Sequence, residues 1–292
     1  MLIQKGFHGI RGFIGGPYNP WVRNWCGMTL GDDILSAAPP KADARIAYGG
    51  DENQFVDLRL PQEKGPHALA IIIHGGYWRS KYDLEYMGHV CAALTAKGIA
   101  TANVEYRRVG NAGGGWPGTF ADVRAAYQFL TQLSTKNLAT KSAPPYEVDV
   151  RRVVAMGHSA GAQLGLCLAA HETRLKAVIS LAGVVDLQRA YELHLSNDAV
   201  VEFLGGKPAE VGDHYREADP IKLAIGARQW LVHGASDDVV PPAFSRDYVS
   251  AKQKMKEDAR LVEIAGAGHF ELVDPRAGAW KDVERVVMEA VG

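Results

Sequence analysis

The chain has 292 residues, enough for one large α/β domain with a sizeable core. Hydrophobic residues make up 47% and charged residues 22%, a balance that argues against extended disorder. With 32 basic against 33 acidic side chains there is no basic excess to neutralise phosphates, so nucleic acid is not an expected partner.

Residues 1–45 form a distinct stretch, rich in glycine, proline and aromatic residues (Gly15-Gly16-Pro17-Tyr18-Asn19-Pro20-Trp21, then Trp25) and without sustained periodicity. Exposed tryptophans are costly, so this segment is expected to be an arm packed on the body, either as a plain strap or as a flap closing one wall of an active site. Residues 1–11 lack the apolar stretch of a secretory signal, and no apolar run approaches the roughly 18 residues of a spanning helix. A cytoplasmic location without membrane contact is the expectation. Cys26, Cys91 and Cys167 are odd in number and widely spaced, which gives neither a disulfide framework nor a metal-ligand pattern. They read as small buried hydrophobes.

From residue 46 to 292 a single domain is expected, built from alternating strands and helices. Short β-branched or apolar runs predict strands at 45–48, 54–60, 68–74, 99–105, 152–157, 177–181, 229–233 and 260–264. Several are apolar throughout, as strands of a sheet covered on both faces must be. Helical patterns fall at 84–97, 120–133, 160–171, 242–256 and 275–291. The alternation implies right-handed crossovers and a mostly parallel, doubly wound, eight-stranded sheet with helices on both faces. The first two strands have no helix between them and should start the sheet antiparallel. Residues 185–223 break the rhythm with short amphipathic pieces around Gly205-Gly206-Lys207-Pro208, which predicts a small cap-like insertion over the C-terminal edge of the sheet, where ligands bind in such folds.

Chemistry concentrates at that edge. The strand Val153-Val154-Ala155-Met156 runs into Gly157-His158-Ser159-Ala160-Gly161 and then into a helix. This is the G-x-S-x-G elbow in its strand–turn–helix setting, with Ser159 as candidate nucleophile. The flanking glycines are needed because a Cβ there would collide with neighbouring backbone, and the helix start offers the Ala160 N–H to a developing oxyanion. Upstream, the strand Ala70-Ile71-Ile72-Ile73 ends in His74-Gly75-Gly76-Tyr77-Trp78, an HGGG-type loop with tyrosine in the third glycine position. Gly75, Gly76 and Tyr77 join Ala160 as the expected oxyanion hole, with His74 as a support of the loop.

The base and its orienting acid should follow the serine in the order acid, then histidine. Asp237, in the turn after the strand Gln229-Trp230-Leu231-Val232-His233, is the expected acid. Its neighbour Asp238 is the rival, with a helix cap near Pro242 as its other reading. His269 lies in a glycine-rich turn after the last strand, where the base belongs, whereas His233 precedes the acid and so falls in the wrong order. His158 adjoins the nucleophile, but its side chain should point away from the hydroxyl. Trp78, Trp116 and His158 are taken as candidate substrate-binding residues.

At these positions the sequence resembles the esterase/lipase-like branch of the α/β-hydrolase fold, and within it the group containing bacterial carboxylesterases and kynurenine formamidases. His74-Gly75-Gly76-Tyr77-Trp78 is similar to the formamidase loop, Gly157–Gly161 matches the common G-H-S-A-G elbow, and Gly268-His269-Phe270 matches the final H-F pair. Ala182-Gly183-Val184-Val185-Asp186-Leu187 resembles the S-G-x-x-D-L segment. Residues 105–120 depart from the D-Y-R-L-A-P-E stretch of hormone-sensitive-lipase-like esterases and look instead like bacterial hydrolases grouped with prolyl-oligopeptidase-type peptidases, whose propeller cannot fit in this length. The resemblance covers about residues 45–290.

It implies a Ser159–His269–Asp237 triad working through an acyl-enzyme, with no metal or organic cofactor. The expected partner is a small-molecule ester or amide. A carboxylesterase for small or aromatic acyl groups is the first reading. An amide or formamide hydrolase of arylformamidase or small-peptidase type is the second, and a noncatalytic ligand-binding member of the fold is the third. A homodimer is left open.

Overall fold

The computed structural model describes residues 32–135 and 147–292. Among them eight strands form one sheet: β1 (Ala44–Ala47), β2 (Phe55–Arg59), β3 (His67–Ile73), β4 (Ala100–Val104), β5 (Val148–His158), β6 (Ala177–Leu181), β7 (Arg228–Gly234) and β8 (Ala259–Ile264). Their spatial order is β1-β2-β4-β3-β5-β6-β7-β8. β2 runs antiparallel to both neighbours, and every later pair is parallel. This is the expected doubly wound α/β-hydrolase sheet, antiparallel only at its start.

The apolar runs that predicted strands are apolar because the sheet is buried on both faces. Along β3, Ile71 and Ile73 enter one core while Ala70 and Ile72 enter the other. Along β5, Val153 and Ala155 share the first core, and Val154 and Met156 the second. The two-residue period thus supplies two separate cores from one strand. The first core is closed by α2 (Gly118–Thr135), α3 (Ala160–His171) and α7 (Ala243–Lys254). The second is closed by α1 (Gly88–Thr95) and α8 (Trp280–Val291). Every residue of α3 from Ala160 to Ala169 is buried, so the helix behind the serine is held from all sides. In α8 the buried residues Val283, Val286, Val287 and Ala290 recur at helical spacing, giving one apolar face.

Three boundaries differ most from the sequence reading. β5 begins at Val148, ahead of residue 152, because the charged residues Asp149, Arg151 and Arg152 hide an extension that pairs at its end with His67 of β3. The helix expected over 84–97 divides into a 3-10 turn, Glu85–Met87, and α1. α8 starts at Trp280 and not at residue 275, because the preceding residues wind into turns in which the Ala277 N–H donates to Asp274 and the Trp280 N–H to Ala277.

Between β6 and β7 lie α4 (Leu187–Glu192), α5 (Ala199–Leu204) and α6 (Gly212–Ala218), followed by a 3-10 turn, Pro220–Lys222, all within the segment expected to interrupt the fold. Arg79, just after the β3 loop, grips this segment. It makes a two-pronged ion pair with Glu202 at 2.7 and 2.9 Å and donates to Ser196 Oγ.

Of the expected arm, Trp21, Trp25 and Cys26 lie outside the described residues. The described part packs on the body at α1: Ile34 is buried in the second core, His89 bonds the Ala37 carbonyl, and Arg59 donates to the Pro40 carbonyl. Cys91 and Cys167 are free and buried, as small hydrophobes would be. Burial pushes the Cys91 thiol up to about 12, so it stays protonated at neutral pH. Among the described residues no helix is long and apolar enough to cross a membrane.

Candidate active site

The sheet delivers three side chains to its C-terminal edge. β5 ends at His158, and the chain turns at Ser159 with φ 56° and ψ −119° before α3 begins. That conformation is unfavourable for a residue with a Cβ. It is held by the Ser159 N–H donating to Leu181 at the end of β6, and by the Ser159 carbonyl accepting from Val184 and Ala162. Glycine is required on both sides. A Cβ on Gly157 would lie 2.1 Å from the Gly161 carbonyl oxygen, and one on Gly161 would lie 2.2 Å from that of Ile73. The elbow is therefore wedged between β3 and its own helix.

Asp237 follows β7 in a tight turn, and His269 follows β8. His269 Nδ1 lies 2.7 Å from Asp237 Oδ2. The other carboxylate oxygen accepts the Val239 and Val240 N–H groups at 2.8 and 2.9 Å. Burial alone would raise the Asp237 carboxyl, but His269, His233 and these N–H groups hold it far below the usual carboxylate range. The result is a buried, ionised acid facing the Nδ1 edge of a histidine. Asp238 is exposed and does not cap α7, whose first turn has no side-chain cap. His233, set aside as a base on chain order, supports the acid. Its Nε2 lies 3.2 Å from Asp237 Oδ2 and its Nδ1 lies 2.7 Å from Ser245 Oγ.

Ser159 and His269 meet through the residue before the serine. His158 Nε2 lies 3.1 Å from the His269 carbonyl oxygen, and the two rings lie 4.6 Å apart. Among the described residues the Ser159 hydroxyl has no hydrogen-bond partner, and the residue is 3% exposed. Contacts of this kind commonly tighten only when substrate is bound.

The loop after β3 passes directly over the elbow. A Cβ on Gly75 would lie 2.9 Å from Ser159 Cβ and 2.7 Å from the His158 carbonyl oxygen. Gly76 has φ 105°, and a Cβ there would strike the Tyr82 ring. His74 is buried beneath the loop with Nδ1 on the Gly75 carbonyl and Nε2 3.1 Å from Glu105, and it stacks on Tyr106 at 4.3 Å. Burial raises the Glu105 carboxyl, but His74 and Arg108 more than offset this, so the net shift is downward. His74 is a support of the loop, as expected.

Three of the expected roles change. The Gly75 N–H donates to the Tyr86 hydroxyl at 2.7 Å, so it is not free for an oxyanion, whereas the Gly76 and Ala160 N–H groups have no acceptor among the described residues. Trp78 is not a pocket wall. It is 1% exposed, its indole N–H donates to Gln163, and it stacks on Phe203 of α5 at 4.4 Å. Trp116 is half-buried, meets the same Phe203 edge-on and stacks on Phe120, contacts that pack the insertion against the body. His158 is 1% exposed and is engaged through both ring nitrogens, which leaves it no face for substrate. Tyr77 ties its loop to that of the acid, through a hydroxyl that donates to the Val239 carbonyl. The residues that sequence reasoning missed are Tyr86, Glu105, Gln163 and Phe203. No motif marks them, because each acts through a partner distant in the chain.

The profile of the BD-FAE family matches residues 56–251. A probable isoprenylcysteine alpha-carbonyl methylesterase of Arabidopsis thaliana is 24% identical over 260 residues, covering 80% of this chain and 58% of that protein. The chain thus spans less than two thirds of the length of this plant relative. An uncharacterized protein of Mycobacterium tuberculosis is 27% identical over 82% of this chain and 80% of its own length. Among solved structures, a truncated carbohydrate esterase from gut microbiota superposes with a TM-score of 0.71 at 20% identity, covering 87% of this chain and 99% of its own. Propionate-bound esterase Est2 of Thermogutta terrifontis gives a TM-score of 0.66 at 20% identity over 86% and 93%. A family match across most of the sheet, and these likenesses in fold, lead to one conclusion: the chain belongs to the BD-FAE family, in the esterase/lipase-like branch of the α/β-hydrolase fold.

Proposed function

We propose that this protein is a serine carboxylesterase that cleaves small carboxylic esters through an acyl-enzyme on Ser159. The observation that carries the reading is the buried Asp237–His269 pair at 2.7 Å, set at the same sheet edge as a serine held at φ 56°. In this reading His269 Nε2 takes the Ser159 proton as the oxygen attacks the substrate carbonyl, and the ionised Asp237 stabilises the imidazolium. The Gly76 and Ala160 N–H groups receive the oxyanion, each worth about 3 kcal/mol in the transition state. His269 then returns the proton to the leaving alcohol, and water repeats the sequence on the acyl-enzyme.

Ester chemistry is favoured by the relatives, which include a probable methylesterase and an esterase captured with propionate. Trp78, one of the aromatic residues taken as substrate-binding, is buried against Phe203 and offers no wall to an aromatic acyl group. Small acyl groups are therefore the better-supported substrates, in line with the propionate captured by the related esterase.

Purified protein should hydrolyse p-nitrophenyl acetate and butyrate faster than N-formylkynurenine or aminoacyl-arylamides. Ser159→Ala should lose both turnover and labelling by a fluorophosphonate probe while keeping its far-UV circular dichroism. Turnover retained in that variant would remove Ser159 from the chemistry, and a higher kcat/KM on the amides would move the assignment to amide hydrolysis.

A further inference from the structure

Beyond the atoms used in that reaction, a buried line of hydrogen bonds joins three parts of the site. Tyr86 stands in the 3-10 turn before α1 and is 7% exposed. Its hydroxyl takes the Gly75 N–H at 2.7 Å and lies 2.9 Å from His158 Nδ1. His158 Nε2 lies 3.1 Å from the His269 carbonyl oxygen.

The positions of the protons follow from the partners. A carbonyl only accepts, so His158 Nε2 carries the hydrogen, and a neutral imidazole then leaves Nδ1 bare. Nδ1 accepts from the Tyr86 O–H, whose oxygen accepts from Gly75. The line runs in one sense only, from the β3 loop through Tyr86 and His158 to the loop that carries His269. Burial, and then the neighbouring His269, holds His158 well below the usual histidine range, so the neutral form that the line requires is the one present.

We infer that Tyr86, holding the Gly75 N–H directly and reaching His269 through His158, is a positioning residue that sets the His74-Gly75 peptide, and with it the Gly76 N–H that follows, against the Ser159 elbow and fixes the main chain of His269 against the same elbow. The inference rests on the Ser159–His269 reading above. Its physical basis is the closeness of the parts. At Gly75 the β3 loop runs so close to the elbow that a Cβ there would lie 2.9 Å from Ser159 Cβ and 2.7 Å from the His158 carbonyl oxygen, so a turn of the His74-Gly75 peptide re-aims the Gly76 N–H that follows it. Removing the Tyr86 hydroxyl leaves the Gly75 N–H and His158 Nδ1 buried without partners, and both groups can recover one only by turning. A misplacement on the order of 1 Å costs about 100-fold in rate.

Tyr86→Phe keeps the ring and removes the hydroxyl. Rates are taken per active site, counted by stoichiometric fluorophosphonate titration, so that an unfolded fraction drops out. On p-nitrophenyl butyrate kcat should fall about 10- to 100-fold with KM changed less than about threefold. The inhibition constant of an alkyl trifluoromethyl ketone, which forms a tetrahedral adduct with the serine, should rise in proportion to the loss in kcat/KM. A purely structural role would leave that constant, taken per titrated site, where it was. His158→Gln and His158→Leu provide a second pair in case Tyr86→Phe does not fold. The glutamine amide can still donate to the His269 carbonyl, so its per-site kcat should exceed that of the leucine variant by about tenfold or more. Unchanged per-site kcat in Tyr86→Phe, or equal rates in the two His158 variants, would overturn the inference while leaving the esterase reading intact. A wild-type protein that is neither labelled nor active on esters would overturn both.

Discussion

At Ser159 the backbone adopts a conformation that suits glycine, and the serine is retained there because the turn lifts its hydroxyl above the sheet edge. Strain of this kind is measurable. Ser159→Gly should raise the unfolding free energy by about 1–2 kcal/mol while abolishing turnover, which a urea melt and an ester assay together would show. Asp237 and Asp238 make a second contrast at this scale. One is buried against His269 and two N–H groups, and the other is exposed. Asp237→Asn should lower kcat by about 10³- to 10⁴-fold, because the neutral amide can hold the wrong imidazole tautomer and gives no charge to the imidazolium. Asp238→Asn should keep wild-type kcat/KM. The sequence could name both aspartates, and the choice between them followed from turn position. What it could not show was His233, whose ring shares the Asp237 carboxylate although its chain order excludes it as the base.

Among the elements, α5 carries more than its six residues suggest. Phe203 is 1% exposed and joins Trp78, behind the β3 loop, to Trp116, in the loop before α2. Phe203→Ala removes the partner of both tryptophans and should cost about 3–5 kcal/mol, read as a lowered urea midpoint. Because Trp78 also binds Gln163 of α3, and Gln163 in turn binds the Ala218 carbonyl at the end of α6, the loss should reach the β3 loop. It should then appear in kcat as well as in stability. The tryptophans stood out in the sequence as large aromatic residues near the motifs. That Trp78 is buried did not, since a pocket wall and a core side chain have the same composition and differ only in what covers them.

For the molecule as a whole, the buried groups around the site set the response to acid. His158 is neutral in the folded state and has a depressed pKa, whereas in the unfolded chain it titrates near the ordinary value of about 6.5. Below that pH the unfolded chain binds a proton that the folded chain refuses, so stability falls as pH falls. Wild-type unfolding free energy should therefore drop more steeply than that of His158→Gln between about pH 6.5 and 5, by up to about 1.4 kcal/mol per pH unit, in urea melts across that range. Asp237 and Glu105 have the same sign at lower pH. Their depressed pKa values give stability that is present above about pH 4 and lost as pH falls further. Equal slopes for the two proteins above pH 5 would mean that His158 takes up its proton in the folded state.

The sheet, the elbow at Ser159 and the order of Asp237 and His269 were all present in the sequence, because each is a local signal. Two-residue periodicity writes a strand, and a glycine is needed wherever backbone passes too close for a Cβ. Even there, the charges of Asp149, Arg151 and Arg152 concealed the first residues of β5. The uses of the other side chains were settled only in three dimensions. Gly75 gives its N–H to Tyr86 and not to an oxyanion, and His158 bridges Tyr86 and His269, partners 72 and 111 residues away. Trp78 lies under α5. A hydrogen bond or a buried face belongs to a pair of groups that folding brings together, and no pattern along one stretch of chain records the second member of the pair.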